Sequence, residues 1–333
     1  MQKTISIIIA IFNRKDELFE LLNSLIAQTD KNFEVIIVDD GSSVDLLPTV
    51  ETFKEMLEIQ YFKKTNSGPG LSRNYGARRA KNDWLVFVDS DVIVEKDYIE
   101  NIKKNLEKTD CAAFGGADKA HKGFNILQKA ISYSMTSVFT TGGIRGSKKA
   151  VTRFQPRSFN MGVNKEIFLK IGGFSEMRIG EDPDLSMTIW EKGYKTAFFD
   201  DIGVYHKRRT DLGKFSKQVY QFGCARPILN QRHPNYVKPT FWFPTLFLLG
   251  YVAGILEYFL LHKGFVLACY GIYTFVIFFH ALLLTKNLAI AAQAIITTYI
   301  QMFSYGYGFL ESWVKLNILR MKPEEAFPKH FHK

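Results

Sequence analysis

The run Trp84-Leu85-Val86-Phe87-Val88 is followed at once by Asp89-Ser90-Asp91, and no other stretch restricts the fold as much. Five apolar residues in succession suit a strand covered on both faces, as in a parallel sheet. Ligands of open α/β sheets collect beyond the carboxyl ends of such strands. With an extended period of two, Asp89 and Asp91 fall on one side of the strand tip. Two carboxylates so close repel unless a cation neutralises them, and Mg²⁺ or Mn²⁺ carrying a diphosphate meets that need. The plainer alternative is a strand-end turn with solvated aspartates, so the rest of the chain has to decide.

The 333 residues suit a large α/β domain with an appendage. A net charge of +10 points to an anionic partner: nucleic acid, an anionic membrane face or a phosphorylated substrate. Cys111, Cys224 and Cys269 share no metal-ligand spacing, as expected of a catalytic part facing a reducing compartment. Ile5-Ser6-Ile7-Ile8-Ile9 opens a strand pattern directly, without the pattern of a cleavable signal.

In order, Ile5–Ala10 reads as a strand, Lys15–Gln28 as a helix and Phe33–Val38 as a second strand, ending on Asp39-Asp40-Gly41-Ser42-Ser43. An aspartate at such a tip meets a ribose or base, or simply caps the next helix. Ile59–Phe62 is a short third strand. Asn66-Ser67-Gly68-Pro69-Gly70 then turns into a helix whose first turn carries Arg73 and Asn74, where free backbone N–H groups favour anions. This is neither a Walker A loop nor a dinucleotide fingerprint, which argues against an ATPase or a dehydrogenase. A helix is expected from Lys96 to about Lys108, another over Ile126–Phe139, a strand at Phe159–Val163 and helices at Lys165–Ile171 and Ile179–Lys192. The Thr140–Lys149 loop, rich in glycine and lysine with Arg145, reads either as a phosphate grip or as a solvated surface loop.

Five motifs in order carry a resemblance. Asn13-Arg14 after the first strand, Val38-Asp39-Asp40-Gly41-Ser42, Gly68-Pro69-Gly70 with Arg73-Asn74, Asp89-Ser90-Asp91 and Gly180-Glu181-Asp182-Pro183-Asp184-Leu185 span roughly the first 200 residues. The chain resembles a family 2 inverting glycosyltransferase with the nucleotide-diphosphosugar (GT-A, Rossmann-like) fold. That resemblance implies a nucleotide-diphospho-sugar donor held by Ala10, Asn13, Asp40, Gly68, Arg73, Asn74, Asp89 and Ser90. It implies Mg²⁺ or Mn²⁺ on Asp91 with support from Asp89, and an acceptor met by Glu181 and by Gly143 of the glycine-rich loop. His206 is a further candidate for the metal or diphosphate. The first turn departs from the family pattern, with Ala10-Ile11-Phe12 where a proline is usual. The segment Gln218–Arg226 lacks the Gln-x-x-Arg-Trp motif of processive members, so transfer of one sugar is expected.

Inversion requires one carboxylate to accept the proton of the acceptor hydroxyl, and the resemblance assigns that role to Asp182. Pro183 suits a first helical position, which would put Asp182 at the N-cap and leave Asp184 solvated.

Between His206 and Lys238 eight Lys/Arg face a single acidic residue, Asp211. No nucleic-acid reading module accompanies them, and the apolar runs beyond residue 240 favour membrane electrostatics. Phe241–Leu261, Gly264–Leu284 and Leu288–Leu310 are each about as long as the roughly 20 residues that cross a bilayer core, and only Glu257 interrupts them with a charge. The expected division is a catalytic domain over 1–205, a basic docking segment over 206–240, transmembrane helices over 241–314 and a basic tail over 315–333. The catalytic domain is expected on the cytoplasmic side. Three full crossings would put the basic tail on the opposite side, a conflict that makes one apolar segment interfacial or re-entrant. The acceptor is then a polyprenyl-linked sugar or nascent glycan presented at the membrane, with nucleic acid excluded as a partner. Rival readings are a nucleotidyltransferase that makes the activated sugar and a membrane scaffold without activity.

Overall fold

The structure is a computed structural model that describes residues 3–119, 124–141, 154–206 and 211–332. The chain forms two compact units. One comprises Met1–His121, Lys149–Lys207 and Lys329–Lys333, the other Lys122–Lys148 and Arg208–Pro328.

The first unit is built on an eight-stranded sheet: β1 (Ile5–Ile11), β2 (Phe33–Asp39), β3 (Ile59–Lys63), β4 (Trp84–Asp89), β5 (Val92–Val94), β6 (Ala113–Lys119), β7 (Asn160–Asn164) and β8 (Thr196–His206). Their order is β3-β2-β1-β4-β7-β6-β8-β5. The first four are parallel, and β7 runs antiparallel to both β4 and β6. Helices α1 (Lys15–Ile26), α2 (Leu47–Glu51), α3 (Pro69–Ala77) and α4 (Tyr98–Lys108) alternate with these strands.

Alternation along the strands explains why both sheet faces are covered. Ile5, Ile7, Ile9, Val35, Ile37, Val86 and Val88 join one apolar cluster with Leu18, Leu21, Leu22 and Leu25 of α1 and Ile99 and Ile102 of α4. Ile8, Ile36, Val38, Leu85 and Phe87 point the other way, towards Ala77 of α3 and towards Phe168, Leu185 and Ile189. Ser6 is the polar exception on β1, and it donates to Glu34 Oε1 at 2.6 Å.

Most of the expected elements are present, with ends shifted by one or two residues. The informative difference lies at the central strand. β4 stops at Asp89, Ser90 and Asp91 form a turn, and Val92–Val94 is a separate strand paired antiparallel to β8 at the far edge. The extended period therefore does not carry through from Asp89 to Asp91.

The second unit contains α5 (Ile126–Thr136) and α6 (Val138–Thr141). The first unit then supplies α7 (Lys165–Lys170) and α8 (Glu181–Glu191). The second resumes with α9 (Leu212–Arg232), α10 (Phe243–Leu261), α11 (Phe265–Thr285), α12 (Leu288–Trp313) and the short α13 (Pro323–Ala326). Part of the 126–139 segment packs inward, Tyr133 with Ile277, Ala281, Ala291 and Ala294 and Ile131 with Phe215 and Val219, whereas Ile126, Val138 and Phe139 are exposed. Gly223 of the basic segment lets α9 approach α12, since a Cβ there would lie 2.3 Å from the Tyr305 carbonyl oxygen. Arg226 lies over the Phe241 ring at 4.3 Å. Glu257, the charge inside the first apolar run, accepts from the Val266 N–H at 3.0 Å and so satisfies the start of α11.

Three helices, spanning Pro239–Leu261, Phe265–Thr285 and Leu288–Ile318, are long and apolar enough to cross a membrane. Their outer surface is apolar as well, with Phe265 75 % and Leu283 76 % exposed. Water does not tolerate so large a continuous apolar surface, whereas a bilayer does. The three apolar helices thus suggest membrane association.

Candidate active site

The polar tips of β1, β2, β4 and the start of α3 meet at one edge of the sheet. At the tip of β1, Asn13 adopts a φ of 54°, and its side-chain Oδ1 accepts from the Ser43 N–H (2.8 Å) and Ser43 Oγ (3.0 Å). Ser42 Oγ accepts in return from the Asn13 N–H at 2.9 Å. Asn13 thus fixes the first turn to the second. Ala10 sits half-buried in β1, in register with Val38 on one side and Asp89 on the other.

At the tip of β2 the two aspartates divide their work. Asp39 is fully buried and accepts from the Ser42 N–H (2.8 Å) and the Tyr61 hydroxyl (2.7 Å). Burial, followed by the bond to Asp39, pushes the Tyr61 phenol upward in pKa. Asp40 accepts from Lys64 Nζ (2.6 Å), the Ser67 N–H (2.8 Å) and the Gly68 N–H (2.7 Å). Gly68, with φ 89°, occupies a conformation open to glycine at little cost. The Asp40 carboxylate therefore shapes the loop that leads into α3.

Arg73, one turn into α3, is the centre of the charge network. It is buried, and its guanidinium pairs through Nη2 with Asp89 Oδ1 at 2.7 Å and through Nη1 with Glu181 Oε1. Burial opposes its charge, but Glu181, Asp89 and Asp182 together outweigh that and hold it protonated. Glu181 opens α8 and is itself buried; burial pushes its carboxyl up to about 7, against the pull of Arg73 and with a further push from Asp182. Gly70 makes this approach possible, because a Cβ there would lie 2.6 Å from Glu181 Oε2. Asn74 has both ends of its amide engaged on the chain, donating to the Phe174 carbonyl (2.7 Å) and accepting from the Phe174 N–H (2.9 Å). These two bonds tie α3 to the turn before α8.

The two central carboxylates face different cations, since Asp91 pairs with Arg14 and Asp89 with Arg73. Ser90 between them is buried. The backbone of His206 pairs with Val92, next to this turn. Among the described residues no three His, Cys, Asp or Glu side chains converge as a metal cluster. Mg²⁺ is commonly held by one or two carboxylates together with substrate phosphates, so the two carboxylates at this turn suffice in number. Gly143 lies outside the described residues.

Two expectations about α8 need correction. Its N-cap is Gly180, at φ 90°, so Asp182 is the second residue of the helix and caps nothing. Asp184 is buried, 3 % exposed, rather than solvated. The reason is the earlier start of the helix: Gly180 supplies a left-handed residue before Glu181, two residues ahead of the position that Pro183 suggested. Asp182 is left half-buried, with Oδ1 out of contact with water and without a hydrogen-bond partner among the described residues. Sequence reasoning also missed Tyr61, in the middle of β3, and Lys64, which directly follows that strand.

Residues 6–171 match the family described as Glycosyl transferase family 2. An uncharacterized glycosyltransferase of Haemophilus influenzae is 32 % identical over 202 residues, covering 58 % of this chain and 64 % of that protein. One from Rickettsia felis is 39 % identical over 106 residues, covering 32 % of this chain and 18 % of that protein. The chain thus spans less than two thirds of the length of either relative. Among solved structures, the mannosyltransferase PcManGT from Pyrobaculum calidifontis, in complex with GDP-Man and Mn²⁺, superposes with a TM-score of 0.56 at 19 % identity, over 88 % of this chain and 86 % of that one. That likeness is one of fold: a mixed-sheet GT-A domain followed by helices. The match over β1 to β7, together with the carboxylates and arginines gathered at the sheet edge, places this chain in glycosyl transferase family 2.

Proposed function

We propose that the protein is a membrane-bound, metal-dependent inverting glycosyltransferase that moves one sugar from a nucleotide-diphospho-sugar to an acceptor presented at the membrane. The observation that carries this is the buried cluster at the sheet edge: Arg73 bridging Asp89 and Glu181, with the unpartnered Asp182 oxygen beside it. An unpaired buried acceptor atom is costly, and a substrate hydroxyl that donates to it removes the cost. Asp182 takes the acceptor hydroxyl's proton as that oxygen attacks the anomeric carbon. The bond from that carbon to the diphosphate oxygen breaks, and its electron pair leaves with the nucleoside diphosphate. Arg73 holds Glu181 and Asp89 in place, and Glu181 orients the acceptor. Asp91, with Asp89, would hold the Mg²⁺ or Mn²⁺, whose chemistry when bound is to stabilise negative charge on the leaving diphosphate. Asp40 and the Gly68 turn bind the nucleoside, two strands away from Asp89 in the sheet order and so about 10 Å across.

The membrane reading rests on the three apolar helices, the basic run ahead of them and the route of the chain. The chain leaves the first unit at Lys207 and rejoins it at Lys329. A unit lying on one side of a bilayer requires an even number of crossings in between. Two of the apolar helices cross, or none does, and the remainder lie at the interface. The basic segment supports a catalytic unit on the cytoplasmic side. An acceptor held there is a polyprenyl-linked sugar or a nascent surface glycan.

The test is to incubate the purified protein with a panel of nucleotide-sugars, Mn²⁺ or Mg²⁺ and lipid-linked acceptors. Release of nucleoside diphosphate and an inverted anomeric configuration in the product are expected. Release of pyrophosphate would identify a nucleotidyltransferase, and no turnover with any donor would leave a scaffold.

A further inference from the structure

The last described residues return to the donor side of the sheet. Phe331 forms an antiparallel bridge with Met177, the Arg178 N–H donates to the His330 carbonyl at 2.7 Å, and the His332 N–H donates to the Glu176 carbonyl at 2.9 Å. Phe331 and His330 are buried by this pairing. The segment is an added edge of backbone structure, and it delivers one side chain to the site.

That side chain is the imidazole of His332, which lies directly on the Gly68 turn. A Cβ built on Gly68 would fall 1.9 Å from His332 Cε1, 2.5 Å from Nδ1 and 3.0 Å from Nε2. Gly68 is required for its φ of 89°, and the ring sits in the space that a side chain there would take. The ring is half-buried, and its Nε2 is shielded from water with no hydrogen-bond partner among the described residues. Burial, then the positive charge of Arg178, lowers the imidazole's pKa; Lys64 adds to this, while Asp40 and Glu176 oppose it. These surroundings favour the neutral ring, whose Nε2 either donates or accepts according to tautomer.

We propose that His332 belongs to the donor site and binds the nucleoside of the donor, its unpartnered Nε2 meeting the ribose or base. This inference rests on the donor reading given above. Its location selects the nucleoside over the diphosphate. His332 stands at Gly68, whose N–H is held by Asp40 at the β2 tip, whereas the carboxylates suited to a metal-bound diphosphate end β4, with β1 between. A neutral imidazole also adds no positive charge for phosphate, whereas it suits a flat heterocycle or a hydroxyl. The 264 positions that separate His332 from Gly68 hide this contact from any local pattern.

The test uses the full chain in detergent, with UDP and GDP in the presence of Mn²⁺ as nucleoside probes and pyrophosphate with Mn²⁺ as a probe that lacks the nucleoside. His332→Ala is expected to weaken the better-bound nucleoside diphosphate about tenfold, the effect of one lost hydrogen bond, while pyrophosphate binding stays the same. His332→Gln, whose amide reproduces a polar atom at that reach, should recover most of the loss. Phe331→Asp, which breaks the docking of the segment, should match His332→Ala. Unchanged or tighter nucleotide binding in His332→Ala would overturn the inference, and tighter binding would mean that the ring competes for the site. If the unaltered protein binds neither nucleotide, the donor reading fails first and this inference with it.

Discussion

Glu181 ties stability to pH. Its carboxyl lies buried between Arg73 and Asp182, and burial raises its pKa from 4.5 to about 7. Because the folded-state value exceeds the unfolded one, the folded protein binds more protons between those two pH values. Its contribution to stability is complete below pH 4.5 and is lost as pH rises through 7. At about 1.4 kcal/mol per pKa unit, moving from about pH 5 to about pH 8 removes roughly 2–3 kcal/mol. Glutamine keeps the shape and cannot ionise, so Glu181→Gln lacks this slope; Asp89 still pairs with Arg73 at 2.7 Å in the variant. For a domain of roughly 150–250 residues, each kcal/mol shifts Tm by about 2–4 °C. The difference in Tm between Glu181→Gln and the unaltered protein should therefore grow by about 5–10 °C over that pH range, in favour of the variant. Differential scanning fluorimetry in detergent at stepped pH measures it. A pH-independent difference would show that Glu181 is already ionised at pH 5, and that Arg73 dominates over burial.

Three further expectations concern the chemistry and the membrane. Asp182→Asn should reduce sugar transfer by about 10²-fold or more while nucleotide binding and Tm stay unchanged, because Gly180 caps α8; near-normal turnover would remove Asp182 as the base. Asp91→Asn should abolish the Mn²⁺-dependent part of donor binding, read by titration calorimetry with and without the metal, and undiminished metal dependence would refute the assignment. Cysteines introduced at the exposed Lys108 and Lys329, in a background without Cys111, Cys224 and Cys269, should react with an impermeant maleimide from the same side of sealed vesicles. Labelling from opposite sides would mean an odd number of crossings and would refute a catalytic unit that lies wholly on one side of the bilayer.

The residues that local pattern could reach were those whose roles are set within a few positions. The apolar runs of β1, β2 and β4 specify buried parallel strands because both of their faces need cover. The polar tips at their carboxyl ends fall on one edge because parallel strands all end there. Three long stretches nearly free of charge specify membrane-compatible helices whatever they pack against. Five motifs in order were enough to place the family, since each sits at a fixed point of that strand and helix succession.

Partners separated by a long stretch of chain were decided only by the fold. Arg73 joins Asp89 to Glu181, 108 residues further on, and nothing near Arg73 announces that it neutralises two carboxylates at once. The same holds for Asn74, whose amide meets the backbone of Phe174 at both ends, 100 residues away. The start of α8 depended on one backbone angle at Gly180, because proline tolerates several first-turn positions while a left-handed residue before a helix fixes its first turn. The arrival of His332 at Gly68 depended on a single bridge between Phe331 and Met177. Spacing along the chain records what a residue can do within its own element, and the packing of elements alone determines which charges and rings come to face one another.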